Sequence, residues 1–229
     1  MKNILLFTIF FSNSIGCKSQ EKMKLIYVYD ALCGWCYGFS PVVTEFQERY
    51  KDSLTFEVIS GGMITGGRIG PIGEVAPYIS WAYKDVEKTT GIKFGDEFLN
   101  NTLKKGKAIF TSIPPAIALS VFKTLQPKNS LHFASELQIA IYFDGKEPEN
   151  LEAYGQIAAK FGLDADLFVE KMKEPLYKKL AEDDFKKSTE LGVSGFPAIF
   201  IEINNQYFII GNGYMPFDTL NSKYLSIIK

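Results

Sequence analysis

Two residues carry the clearest chemistry in this chain: Cys33 and Cys36, in the segment Cys33-Gly34-Trp35-Cys36. Two thiols at i and i+3, between a short apolar run and an amphipathic pattern, form a dithiol–disulfide pair. One sulfur attacks a foreign disulfide as a thiolate, and the other displaces the resulting mixed disulfide. Position favours Cys33 as attacker. At a helix N-terminus, unpaired N–H groups and the macrodipole stabilise a thiolate. Such placement lowers a thiol pKa from about 8.5 to roughly 3.5–7.5. Cys36, one turn further in, is expected to be shielded and to resolve. Other readings are weaker. A disulfide closing four residues removes little chain entropy. Two unrelated buried thiols are a second alternative, since free cysteine is often buried. A metal site lacks ligands, because His132 is the only histidine and reads as an ordinary helix residue.

The elements that must hold this pair can be read on either side of it. Leu25–Tyr29 is a β-branched and aromatic run, expected as a buried strand. After the cysteines, Phe39, Val42, Val43, Phe46 and Tyr50 recur on one helical face, with Pro41 expected to kink it. Leu54–Ile59 is a second strand, completing a βαβ unit. Residues 61–73 contain six glycines without a phosphate-binding pattern, and read as a flexible crossover beside the site. A helix-rich stretch follows. Its apolar faces are Val75, Ile79, Ala82 and Val86; then Phe133, Leu137, Ala140 and Ile141; then Tyr154, Ile157, Ala158 and Phe161. Strand signals return only after Gly192, as Ala198–Ile203, an Asn204-Asn205 turn and Tyr207–Ile210, with a last helix over about 217–228. Neither flank is large enough to fold alone. One sheet interrupted by a helical insertion is therefore expected.

Composition narrows the function classes. The 229 residues carry a formal charge of −1, which gives no basic excess for nucleic acid or an anionic membrane. An apolar fraction of 46% excludes a disordered chain. Residues 1–16 read as a secretory signal: Lys2, then Ile4–Phe11, apolar apart from Thr8 and too short for a bilayer span of about 20 residues. Ser14-Ile15-Gly16-Cys17 resembles a bacterial lipobox, so Cys17 is the expected lipidation site. Simple cleavage nearby is the alternative. With Cys17 anchored, the folded part keeps only the Cys33/Cys36 pair.

The βαβ unit, the C-x-x-C at a helix start, Pro41 and Gly195-Phe196-Pro197 before a strand resemble the thioredoxin superfamily. The long helical insertion resembles its DsbA branch. Tyr29-Asp30-Ala31-Leu32-Cys33-Gly34-Trp35-Cys36-Tyr37-Gly38-Phe39-Ser40-Pro41 is similar to the bacterial protein-disulfide isomerase subgroup of that branch. The resemblance covers about residues 24–229. It implies an α/β thioredoxin fold, βαβ…ββα, with a large helical insertion. It also implies that Pro197 is cis and faces the dithiol, leaving the Phe196 main chain to pair with an extended substrate. A trans proline opening the following strand is the alternative. Two departures stand out: Tyr27 occupies the position of a buried acid, and Phe196 is bulkier than the usual Thr or Val. Proton transfer at Cys36 would then use water or Asp30, unless Asp30 is only a turn residue. Trp35 reads equally as a substrate rim or as core; Tyr37 and Phe39 read as core. Ser112-Ile113-Pro114-Pro115 is a further candidate to cap the dithiol.

The expected organisation is a signal at 1–16, a lipid-anchored tether at 17–23, a thioredoxin-like domain at 24–60 and 186–229, and a helical insertion at 61–185. The expected function is an exported thiol–disulfide oxidoreductase or isomerase. Its catalytic residues are Cys33, Cys36 and Pro197, its substrate contacts Trp35 and Phe196, and Gly34 shapes the motif. Cysteine-containing proteins and a redox partner protein are the expected partners, with a lipid anchor as the only membrane contact. Neither a cofactor nor nucleic acid is expected. The competing readings are a glutathione-dependent transferase or isomerase, disfavoured by the retained Cys36, and a non-catalytic chaperone-like module.

Overall fold

The computed structural model describes residues 23–228. The expected signal and the expected lipid site Cys17 lie outside the described residues. Strand β1 (Lys24–Tyr29) leads through a four-residue turn into helix α1 (Gly34–Tyr50), and β2 (Thr55–Ser60) follows. The insertion holds β3 (Gly70–Pro71), α2 (Ala76–Thr90), a π-helical segment (Glu97–Leu103) and β4 (Ile109–Phe110). It continues through α3 (Ile113–Leu125), α4 (Ser130–Tyr142), α5 (Leu151–Lys160), α6 (Ala165–Met172) and α7 (Pro175–Glu190). The chain closes with β5 (Ala198–Ile203), β6 (Gln206–Asn212) and α8 (Phe217–Ile227).

The two flanks form one four-stranded sheet in the order β2-β1-β5-β6. β1 runs parallel to β2, with Tyr27 opposite Val58, and antiparallel to β5, with Tyr27 opposite Ile199. The period-two pattern sorts the side chains. Leu25, Tyr27, Ile199 and Ile201 join the core that includes Phe39, Val43 and Phe46 of α1. Ile26, Val28, Ile59, Ala198 and Phe200 meet Leu191 and Val193 on the other face. Asn204 and Asn205 both take positive φ, 51° and 63°, the geometry that closes a two-residue hairpin with the twist of its strands.

Pro41 lies inside α1. It has no N–H for the carbonyl of Tyr37, and the Ser40 hydroxyl donates to that carbonyl at 2.9 Å instead. In the insertion, Phe122 and Phe133 stack at 4.0 Å between centroids, with Phe161 and Phe168 packed around them. This aromatic centre is continuous with the core against β1 and α1.

Three details differ from the sequence reading. The short ladder of β3 with β4 adds strands well before Gly192; two residues on each side are too few to leave a periodic signal. The expected division at 185/186 falls inside α7, which is continuous from Pro175 to Glu190. Asp184 ties that helix to both parts, accepting from the Ser60 N–H at 3.1 Å and pairing with Lys123 at 2.9 Å. The glycine-rich crossover carries short 3-10 turns and is pinned by side chains at the site.

Candidate active site

Cys33 is the N-cap of α1, with extended backbone angles (φ −96°, ψ 111°). Its sulfur accepts the Cys36 N–H at 3.3 Å, one of the donors that a helix start leaves free. The thiol also lies 3.5 Å from the carbonyl oxygen of Phe196. Cys33 keeps 7% of its surface and Cys36 none. Burial, then the neighbouring Cys33, pushes the Cys36 thiol well above its ordinary range. The two thiols therefore differ in access and in hydrogen bonding.

The loop before the helix is fixed by Asp30. Its carboxylate accepts from the Leu32 N–H at 2.9 Å, the Met63 N–H at 2.8 Å and the Ser112 hydroxyl at 2.9 Å. One buried side chain thus joins the dithiol turn, the glycine-rich crossover and the start of α3. Burial raises the Asp30 carboxyl above its usual value, while its Met63 and Leu32 donors oppose that rise. The amide of Gln138 on α4 reaches the carbonyls of Asp30 at 3.3 Å and Cys33 at 3.5 Å. Tyr27 sits under the motif, its hydroxyl 3.5 Å from the Cys36 carbonyl and its own pKa pushed up by burial. Asp30 makes the turn by accepting from the Leu32 N–H, and its charge is one of the lesser influences on the Cys36 thiol.

Facing the sulfurs, the Phe196–Pro197 peptide is cis. The Phe196 ring lies on Gly61, where any Cβ would run into it. That close approach explains the first glycine of the crossover. Trp35 is half-buried beside Tyr214, with ring centroids 6.4 Å apart, while Tyr37 and Phe39 are core. Ser112 reaches the site through Asp30 and the Ile64 backbone rather than through the sulfurs. His132 stands apart on α4, half-exposed, 4.0 Å from Glu48.

Next to Cys33 opens a cavity of ≈ 260 Å³ lined by Leu32, Trp35, Ile64, Ile79, Val86 and Tyr142, among others. The apolar α2 face read from periodicity forms a wall of this cavity. Gln138, Met63 and Tyr142 gave no local sequence signal, since each reaches the motif only through tertiary packing. Among the described residues, no group of three His, Cys, Asp or Glu is placed to hold a metal ion, and no helix is long and apolar enough to cross a membrane.

A βαβ…ββα sheet, a dithiol at the start of the first helix and a cis proline facing it define a thioredoxin-fold protein with a helical insertion. More narrowly, the chain belongs to the DSBA-like thioredoxin domain family, whose model matches residues 24–225, a family of thiol–disulfide oxidoreductases. Among solved structures it is similar to one described as a protein disulfide isomerase from Nitrosomonas europaea. The two are 25% identical with a TM-score of 0.80, over 91% of this chain and 98% of that one. It is also similar in fold to the cytosolic disulfide reductase DsbM from Pseudomonas aeruginosa, at 24% identity and a TM-score of 0.76, over 90% and 98% of the two chains. A DsbM structure with GSH aligns at 23% identity with a TM-score of 0.74, over 90% of this chain and 100% of that one. A search of curated proteins found no match.

Proposed function

We propose that this protein is an exported thiol–disulfide oxidoreductase or isomerase that acts on cysteine-containing polypeptides through Cys33 and Cys36. The observation that carries the reading is the N-cap geometry: a nearly covered Cys33 sulfur held by the Cys36 N–H, above a fully buried Cys36 thiol. With the pair reduced, the Cys33 thiolate attacks one sulfur of a substrate disulfide. The other substrate sulfur leaves as a thiolate, and a Cys33–substrate disulfide forms. Cys36 then loses its proton and attacks Cys33 Sγ, which releases the second substrate thiol and leaves Cys33–Cys36 oxidised. Run backwards, the same steps oxidise a substrate.

The main chain of Phe196 lies where an extended substrate segment would dock, its carbonyl 3.5 Å from Cys33 Sγ. Pro197 contributes no N–H that could compete for the sulfurs. A Cβ at Gly34 would make only ordinary contact with the Phe94 ring, at 3.6 Å, so steric room does not set this position. Residues 24–60 with 186–229 would act as the thioredoxin-like body and 61–185 as the insertion that walls the site. A separate redox protein would restore the pair after each turnover. Lipidation at Cys17 would hold the enzyme at the cell envelope.

Equilibration in glutathione buffers of varied ratio tests the reading. Wild-type protein is expected to show one two-electron transition between dithiol and Cys33–Cys36 disulfide, absent from Cys33→Ser and from Cys36→Ser. The midpoint sets the direction of electron flow. No transition in the wild type would overturn the oxidoreductase assignment. For the anchor, Cys17→Ala is expected to release the protein from the membrane fraction; unmodified Cys17 on membrane-bound protein would contradict lipidation.

A further inference from the structure

We infer that the cavity between α1 and α2 is a specificity pocket for an apolar side chain flanking the substrate cysteine, and that it disfavours glutathione as the substrate disulfide. This rests on the dithiol function proposed above and names its substrate class.

The cavity is a wedge with an identifiable cause. At Gly38 of α1 a Cβ would come 2.7 Å from Thr90 and 2.9 Å from Val86, so the C-terminal half of α2 sits directly on the α1 backbone. The N-terminal half of α2 does not close down in the same way. Val75, Ile79 and Ala82 line an open space with Cys33 at its edge, while Tyr78 and Trp81 remain 58% and 56% exposed. Leu32, Trp35, Ile64 and Phe110 make up much of the remaining wall. An apolar helix face left open beside a reactive sulfur is costly in water unless a ligand covers it.

Size and charge select the occupant. A volume of ≈ 260 Å³ lies below the roughly 300–1,000 Å³ of pockets that take whole small molecules, and suits a single large side chain. No Lys, Arg, His, Asp or Glu lines it. Tyr142 stays neutral, because burial drives its pKa well above the ordinary value. Glutathione disulfide carries four carboxylates and two ammonium groups, and this wall offers them no partner. Taking such charges out of water unpaired is unfavourable. A leucine or phenylalanine next to a polypeptide cysteine loses only apolar contact with water on entry. Because Cys33 is part of the rim, a side chain seated in the wedge also holds its neighbouring disulfide against the attacking sulfur.

The test is the rate at which the reduced full-length protein reduces a series of symmetrical disulfides. These are made from N-acetyl-Cys-X-amide with X = Ser, Ala, Leu or Phe, with glutathione disulfide and hydroxyethyl disulfide alongside. The expected second-order rates rise with apolar size, the Phe compound being about tenfold faster than the Ser compound, and glutathione disulfide falls at or below Ser. In Ala82→Phe, which fills the wedge from α2, the Phe-to-Ser ratio should fall towards one. A flat series in the wild type, a glutathione rate equal to that of the Phe compound, or an unchanged ratio in folded Ala82→Phe would overturn the pocket. The wild-type series decides alone if that variant does not fold. Hydroxyethyl disulfide separates the two failures: if the wild-type dithiol does not exchange with it, the oxidoreductase reading falls first.

Discussion

Two insertion helices flank α1 and carry the same kind of sequence signal, yet end in different places. On α4, Phe133, Leu137, Ala140 and Ile141 are all buried in one core cluster, and the Phe133 ring meets those of Phe122, Phe161 and Phe168. At the start of α2 and along it, Val75, Ile79, Ala82 and Val86 repeat at similar spacing, but only Val86 is buried. A period of 3.6 states that a helix has an apolar face; it does not state what covers it. Where a second helix covers the face, the residues are core. Where the covering helix seats at one end only, at Gly38, the rest of the face becomes the wall of a site.

That contrast can be broken by mutation. The largest effect is expected at Phe133→Ala. It removes a ring stacked at 4.0 Å on Phe122 and should cost about 3–5 kcal/mol in denaturant unfolding. Next is Asp30→Asn, at the junction of both regions. The Asn amide would turn a donor towards the Met63 or Leu32 N–H, at a cost of about 1–3 kcal/mol near neutral pH. Its pH dependence has a defined sign. Burial raises the Asp30 carboxyl above its ordinary 3.8, so between those two values the folded chain keeps a proton that the unfolded chain has lost. Wild-type stability therefore falls as pH rises through that window. Asp30→Asn should lack this part of the fall, while Asp184, also raised, contributes equally in both proteins. Urea midpoints measured from about pH 4 upward check it; a variant that falls as steeply as wild type would contradict it. The smallest effect is expected on α2: Tyr78→Ser should move stability by about 0.5 kcal/mol or less. A loss there as large as at Phe133 would mean that the α2 face is core after all.

Much of this molecule was readable without coordinates, for local reasons. Short apolar, β-branched and aromatic runs placed β1, β2 and β5 within a residue or two, and the Asn204-Asn205 pair marked the hairpin because few other residues tolerate two positive φ values. The dithiol was legible because its chemistry needs only four consecutive residues. What stayed hidden was what distant residues do together. Asp30 looked equally like a turn residue, since its Met63 and Ser112 partners are set by the tertiary fold. Gln138 was one more polar residue on a helix. The expected division at 185/186 lies within α7, whose Asp184 bonds both Ser60 and Lys123, a link that no local pattern shows. Gly61 was read as freedom, but its missing side chain makes room for the Phe196 ring.

The central claim is that Cys33 attacks and Cys36 resolves. It is tested most directly by incubating Cys36→Ala and Cys33→Ala with a peptide disulfide, then mapping adducts by mass spectrometry under non-reducing conditions. The account predicts that Cys36→Ala accumulates a mixed disulfide on Cys33, because the attacking sulfur remains and the resolving one is gone. Cys33→Ala should accumulate none at Cys36, whose sulfur is fully buried. Adducts on Cys36 in the absence of Cys33, at a rate matching the other variant, would contradict the assignment.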